Sequence, residues 1–259
     1  MSDKITLITL TQGNPIALKR TIDNVIERFE GKVNEVVVGD LCVLQSDKNT
    51  IYEYLQSLGI PYAYPNLPFN ELFATGFGST LNKLSERSLN DLCLYMNVSE
   101  IVDSPVNLSI IHPQWNSYKF NHATDPHKWV RLWNRKQLQW SGRIHEEVVG
   151  QKYTSPDILF TMADTEKDNG DPFYSQVMND IKELVYFNQY IALVEKPGEI
   201  GATNQGWVKY AQDNYQHIKD RLLKKGARYE AFIEGNLQKY LDNCQEFDPQ
   251  QNSDLIHFQ

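Results

Sequence analysis

No run in this chain approaches the roughly 20 consecutive apolar residues that span a bilayer, so no membrane partner is expected. Cysteine is scarce: Cys42, Cys93 and Cys244 are the three in 259 residues, far apart and without metal-ligand spacing. Their odd number, and the apolar settings of Cys42 and Cys93, predict reduced core thiols rather than a disulfide framework. The first residues, MSDKITLITL, carry an early acidic group and pass directly into a strand-like pattern. The basic and apolar regions of a signal peptide are missing, and a cytoplasmic setting is expected. Basic charge is in deficit, with a net charge of −8. That balance argues against a protein whose main task is coating nucleic acid, while leaving room for a local basic groove. There is no internal repeat. What remains, 41% hydrophobic and 22% charged, is the composition of a soluble globular protein. Its length suits one large domain, or one domain with a helical appendage.

Periodicity divides the chain near residue 150. Ile5 to Leu10 reads as a strand, and Thr11-Gln12-Gly13-Asn14-Pro15 as a turn that caps a helix. Ile16, Leu18, Ile22, Val25, Ile26 and Phe29 then recur at helical spacing up to Gly31. Val33 to Asp40 is a buried strand ending in a carboxylate. Asn49 to Leu58 is a helix, Ile60 to Tyr64 a short strand, and Glu71 to Arg87 a further helix. This alternation predicts an α/β fold with a parallel sheet. Residues Val102 to Asp125 read as irregular and His127 to Val149 as paired strands. From Asp171-Pro172 to about Asn243 the pattern is helical, and the polar tail after Phe247 reads as loose. Residues 1–150 are thus expected to form the α/β domain and 151–259 a helical C-terminal region packed on it.

The stretch Leu92 to Glu100, LCLYMNVSE, opens as an apolar run and ends in small polar groups and a carboxylate. In open α/β sheets the carboxyl end of a strand faces the ligand crevice. Asn97, Ser99 and Glu100 are therefore expected to line one, with Asn97 and Ser99 on a shared side of the strand. Asp40 ends its own strand in the same way, although aspartate also initiates turns. A second concentration of chemistry is HKWVRLWNRKQLQWSGR, residues 127–143. It holds Lys128, Arg131, Arg135, Lys136 and Arg143 without an acidic residue, interleaved with Trp129, Trp133 and Trp140. Such a mixture suits a groove for phosphates and exposed bases, or equally a strand with buried tryptophans and a solvated basic face.

Taken together, the first strand, VNEVVVGD, FGSTLN, LYMNVSE, Arg131-Leu132-Trp133 and Gly142-Arg143-Ile144-His145-Glu146 resemble family 2 glycosyltransferases. The similarity is to the short bacterial and phage branch with a DxDE-like strand end and a later G-x-I-H-E segment, and it covers roughly residues 4 to 150. It implies the GT-A (Rossmann-like) nucleotide-sugar-binding fold. On this resemblance Thr9, Thr11 and Gln12 hold the nucleotide base and ribose of a UDP-sugar donor, and Asp40 accepts a hydrogen bond from uracil. Asn97 and Ser99 stand where two aspartates are usual, Glu100 matches the following glutamate, and Phe77 and Asn82 match a helix beside the donor.

Those aspartates ordinarily hold a divalent cation, Mg²⁺ or Mn²⁺, on the diphosphate, since hard cations prefer carboxylate oxygens. Here the resemblance leaves that metal to Glu100 and His145, with Arg131 or Arg143 as further cations for the phosphates. Glu146 is the implied general base, with His145 beside the metal or phosphates. The leading expectation is a glycosyltransferase that moves a sugar from a UDP-sugar to an acceptor hydroxyl. The basic and aromatic stretch nominates DNA carrying hydroxymethylated cytosine as acceptor, with Lys128, Trp129, Arg135, Lys136, Trp140 and Arg143 as its contacts. The alternatives are transfer to a lipopolysaccharide core or another glycan, and a non-catalytic module that binds nucleotide sugars or glycans.

Overall fold

Short runs of β-branched residues separated by amphipathic helices fold into an open sheet covered on both faces. The computed structural model describes residues 4–11, 13–42, 45–67, 77–98, 100–106, 116–123, 128–141, 147–150, 154–164, 195, 209, 212–217, 220 and 255–257. Of residues 128, 129, 147, 154–164 and 255–257 the backbone alone is placed. The strands are β1 (Ile5–Thr11), β2 (Val33–Asp40), β3 (Tyr62–Tyr64), β4 (Leu92–Tyr95), β5 (Glu100–Val102), β6 (Ser117–His122), β7 (Lys128–Asn134), β8 (Gln139–Ser141), β9 (Glu147–Val149), β10 (Thr154–Asp164) and β11 (Leu255–His257). The helices are α1 (Pro15–Arg28), α2 (Gln45–Ser57) and α3 (Phe77–Glu86). Nine strands form one sheet in the order β11-β3-β2-β1-β4-β7-β6-β10-β5, and β8 pairs with β9 as a separate hairpin. The centre, β3-β2-β1-β4, is parallel, and β7 joins β4 antiparallel.

The period-2 alternation of β1 sorts its side chains onto two cores. Ile5 and Leu7 pack with Val36, Val38, Leu94 and Met96 against Leu18, Ile22 and Val25 of α1 and Ile51 and Leu55 of α2. Ile8 packs on the opposite face with Val37, Cys93, Tyr95 and Trp133 against Leu81 and Leu84 of α3 and Leu138 and Val148 around the hairpin. Each such burial contributes roughly 1.5–3 kcal/mol. Gly39 suits this packing: a Cβ there would meet Leu10 Cδ2 at 2.6 Å and Leu84 Cδ1 at 2.9 Å, so any larger residue would make both leucine side chains shift. Asn14 starts α1 as expected, its Oδ1 accepting from the Ala17 N–H at 3.1 Å with Pro15 following, and Gly31 has φ +75° beyond the helix end.

Four segments differ from the sequence reading. The helix expected from Asn49 begins at Gln45, which brings Lys48 into α2. Residues expected to be irregular contain β6, and β5 ends at their first residue, Val102; in SYKFNH, Tyr118 and Phe120 alternate inward, but the polar residues between them hide the period. Strand β10 lies between β6 and β5 although Pro156 speaks against a strand, and β11 pairs with β3 from within the polar tail. The sheet therefore takes in segments beyond residue 150. Residues 195, 209, 212, 213, 215–217 and 220 are helical, and most of the expected C-terminal helical region lies outside the described residues. No helix among the described residues is long and apolar enough to cross a membrane. Cys42 and Cys93 are free and buried, and burial pushes the Cys93 thiol up to about 12. Cys244 lies outside the described residues.

At the amino-terminal end of the parallel strands a polar cluster locks the turn before β4. Glu35 accepts from Thr6 Oγ1 and from the Leu89 N–H, while Asn90 Nδ2 donates to Thr6 Oγ1 and Asn34 Oδ1. Arg135 donates to the carbonyls of Asn90 (2.7 Å) and Ser88 (2.8 Å). Arg135→Ala is expected to lower stability by about 2–3 kcal/mol, the scale of hydrogen bonds from a charged donor. Lys136→Ala removes only an exposed pair with Asp91 and is expected to change it by less than about 1 kcal/mol. Urea unfolding of both variants checks the contrast; equal effects would contradict it.

Candidate functional site at the carboxyl ends of the central strands

The chain runs outward from β1 through β2 to β3, then returns to place β4 on the other side of β1. Strand order thus reverses between β1 and β4, and in open sheets ligands bind outside the carboxyl ends at such a point. Those ends carry Thr11 on β1, Asp40 on β2, and Tyr95 followed by Asn97 on β4. Thr9 and Thr11 are fully buried. Thr11 Oγ1 donates to the Gly13 carbonyl at 2.9 Å, whereas Thr9 Oγ1 has no hydrogen-bond partner.

On the β2 side, Asp40 is 3% exposed and both its oxygens are engaged. Oδ1 accepts from the Cys42 N–H at 2.8 Å and Oδ2 lies 3.4 Å from Lys48 Nζ. Lys48 in turn donates to Asn66 Oδ1 at 2.9 Å. Main-chain bonds complete the frame: the Asp40 N–H donates to the Pro65 carbonyl, the Leu67 N–H to the Asp40 carbonyl, and the Leu41 N–H to the Thr11 carbonyl. The Tyr64 hydroxyl is buried here without a hydrogen-bond partner. Burial, and then the nearby Cys42 and Asp40, raise its pKa, so it stays a neutral donor.

On the β4 side a second buried ion pair forms. Arg131 Nη2 donates to Glu100 Oε1 at 2.8 Å, with side chains 10% and 4% exposed. Asn97 Nδ2 donates to the same oxygen and the Asn97 N–H donates to Oε2, both at 2.7 Å. The Tyr95 hydroxyl donates to Asn97 Oδ1, and the Arg131 guanidinium carbon lies 5.3 Å from the Tyr95 ring centroid. Arg131 reaches this position because β7 slips register: Tyr118 pairs Leu132 but Lys119 pairs Val130, leaving Arg131 without a counterpart on β6. Such a bulge re-aims a side chain. The Nε–H of Arg131 is buried and has no hydrogen-bond partner. The Glu100 carbonyl also accepts from Thr21 Oγ1 at 3.0 Å, which ties α1 to the same point.

This donor set does not suit a hard divalent cation. The Asn97 amide oxygen is taken by Tyr95 and its NH₂ faces Glu100, whose two oxygens already hold three donors, one of them cationic. Among the described residues no three His, Cys, Asp or Glu side chains gather as a metal site.

The described side chains of the basic stretch do not share one face. Arg131 belongs to the carboxyl-end cluster and Trp133 is fully buried. Arg135 and Lys136 are tied to Ser88, Asn90 and Asp91 at the opposite end of β4, four residues or about 13 Å along the strand from Arg131. A cavity of about 370 Å³ lined by Arg135, Lys136, Trp140 and Gly150 lies by the β8–β9 hairpin rather than at the switch point. Trp140 packs edge-on to Phe77 (6.4 Å) and Trp133 (5.6 Å). Asn82 of α3 clamps the Trp140 backbone, donating to its carbonyl and accepting from its N–H, each at 2.9 Å. Lys128 and Trp129 are placed only as backbone in β7. Gln12, Ser99, Arg143, His145 and Glu146 lie outside the described residues.

Four members of the site, Lys48, Tyr64, Asn66 and Tyr95, were missed from sequence. Lys48 shares helical spacing with Ile51 and Leu55, and a lysine on the buried stripe signals a carboxylate partner. Tyr95 reads as one more apolar residue of its strand, and its hydroxyl gives no sequence signal.

Fold and site place the chain among open α/β proteins with buried polar and charged side chains at the strand-order switch. No family model matches the chain, and no curated protein sequence matches it. Among solved structures, S. aureus TarS 1-349 is similar at 11% identity and a TM-score of 0.47, covering 99% of this chain and 97% of that one. TarS 1-349 has been solved in complex with UDP-GlcNAc (TM-score 0.45) and with UDP (0.47), at the same identity and coverage. The chain spans 40% of the longer TarS structure. Identity this low with a TM-score below 0.5 defines neither family nor activity.

Asp40→Ala strands Lys48 in a buried setting and is expected to destabilise the protein by about 3–5 kcal/mol in urea unfolding. The double variant Asp40→Ala with Lys48→Met is expected to cost clearly less than the two single changes added together. Strict additivity would show that the pair is not coupled.

Proposed function

We propose that the protein is a nucleotide-sugar-dependent glycosyltransferase whose UDP-sugar donor lies across the carboxyl ends of β1, β2 and β4. The observation that carries this reading is the convergence of two buried ion pairs, Asp40–Lys48 and Glu100–Arg131, on either side of the strand-order switch. Orphaned polar atoms of Thr9, Tyr64 and Arg131 stand with them. The Tyr64 hydroxyl and the Asn66 amide, beside the Asp40–Lys48 pair, suit the edge of a uracil ring. The cationic Arg131 suits the diphosphate, where negative charge grows as the sugar departs. The resemblance of residues 142–146 to the family's G-x-I-H-E segment supports Glu146 as the base that takes the acceptor hydroxyl's proton, with His145 beside it.

Isothermal calorimetry with UDP and a panel of UDP-sugars is expected to show one-site binding, unlike matched titrations with GDP or ADP. No heat with any uridine nucleotide would remove the reading. Glu146→Gln is expected to leave donor affinity nearly unchanged while lowering turnover by roughly 10²–10⁴-fold. Near-normal transfer would move the base elsewhere. The acceptor is identified by offering hydroxymethylcytosine DNA, unmodified DNA and lipopolysaccharide core and weighing the products. Donor binding without transfer to any hydroxyl would favour a non-catalytic nucleotide-sugar module.

A further inference from the structure

We infer that the donor's diphosphate is met by Arg131, held as a fixed cation by Glu100, and not by a divalent metal ion. This rests on the UDP-sugar reading. At the end of β4 a metal would need free carboxylate oxygens, and Mg²⁺ would need them at about 2.0–2.1 Å in near-octahedral array. Glu100 has little to give, with three of its roughly four acceptor positions already filled. Oε1 accepts from Arg131 Nη2 and Asn97 Nδ2, and Oε2 from the Asn97 N–H. Asn97 Oδ1 is taken by the Tyr95 hydroxyl. A metal at Glu100 would sit against a guanidinium of like charge at a residue that is 3% exposed, where repulsion is weakly screened.

The arginine already has the properties the metal would supply. Its charge is permanent, and its position is fixed by Glu100, by the Tyr95 ring and by the register slip in β7. Its buried Nε–H has no hydrogen-bond partner and remains a donor for a phosphate oxygen. Glu100 serves Arg131 as carboxylate ligands serve a metal: it holds the cation in place and offsets its charge until the anion arrives.

The test is calorimetry of the full chain with UDP and with uridine, first in excess EDTA and then with millimolar Mg²⁺ or Mn²⁺. UDP affinity is expected to change by less than about threefold between these buffers. A gain of about tenfold or more with either metal, or UDP binding only when metal is present, overturns the inference while leaving the UDP-sugar reading intact. Absence of binding by both ligands in every buffer overturns that reading and the inference with it. Arg131→Lys keeps the charge but loses the planar fork. It is expected to weaken UDP by about ten- to a hundredfold and leave uridine unchanged. Wild-type UDP affinity in that variant, with a native circular dichroism spectrum, contradicts the inference. The wild-type comparison decides the question even where the variant does not fold.

Discussion

The buried Glu100–Arg131 pair is the constraint on which the candidate site depends. Breaking such a pair by removing one partner costs about 3–5 kcal/mol, because the survivor is left charged in a poor solvent. Around it Glu100 binds the Asn97 main chain and side chain, so the turn leaving β4 is closed on itself. Its carbonyl anchors Thr21 of α1, and Arg131 brings in β7. One glutamate thus joins β4, β5, β7 and α1 where the strand order reverses. The Asn24 side chain extends this anchorage by pairing both ways with the Val102 backbone.

The two ends of the central strands follow different polar logic. At the amino-terminal end, Glu35, Thr6, Asn90 and Arg135 bond one another or nearby main chain, a network that fixes a turn. Burial raises the Glu35 pKa against the lowering effect of its hydrogen bonds and of Arg135, as befits a carboxylate kept for structure. At the carboxyl end, Thr9 Oγ1, the Tyr64 hydroxyl and Arg131 Nε are buried without partners. Buried polar atoms are nearly always bonded, so open donors at a strand-order switch are what the proposed donor site requires.

Much of the fold was legible in sequence because its signals were local. VNEVVVGD forms β2 over the expected residues, and Asn14, Pro15 and Gly31 bound α1 as their chemistry dictates. What escaped depends on partners distant in the chain. Strand β10 tolerates Pro156 because its pairing with β6 breaks between Thr154 and Ile158 and β5 pairs only with residues 162–164, and Tyr118 and Phe120 betray β6 only once a core exists to receive them. The site was legible in outline: Asp40, Asn97, Glu100 and Arg131 were all singled out, and each lies at the carboxyl end of the central strands. Their pairing was not, since nothing in the sequence joins Glu100 to Arg131, 31 residues away. In the run of bases from Lys128 to Arg143, Arg131 pairs with Glu100 while Arg135 and Lys136 hold the turn before β4. Successive residues on a strand diverge to different ends and faces, so a basic sequence stretch is not a basic surface.

The central claim is that a nucleotide diphosphate lies at the switch between β1 and β4 with Arg131 as its cation. A crystal structure of the chain with UDP, grown from metal-containing solution, tests this most directly. The account predicts a diphosphate oxygen within hydrogen-bond distance of Arg131 Nε, the Glu100–Arg131 pair intact, and uracil toward Asp40 and Tyr64. A diphosphate bound elsewhere, or a metal ion seated between it and Glu100 with Arg131 turned away, would contradict it.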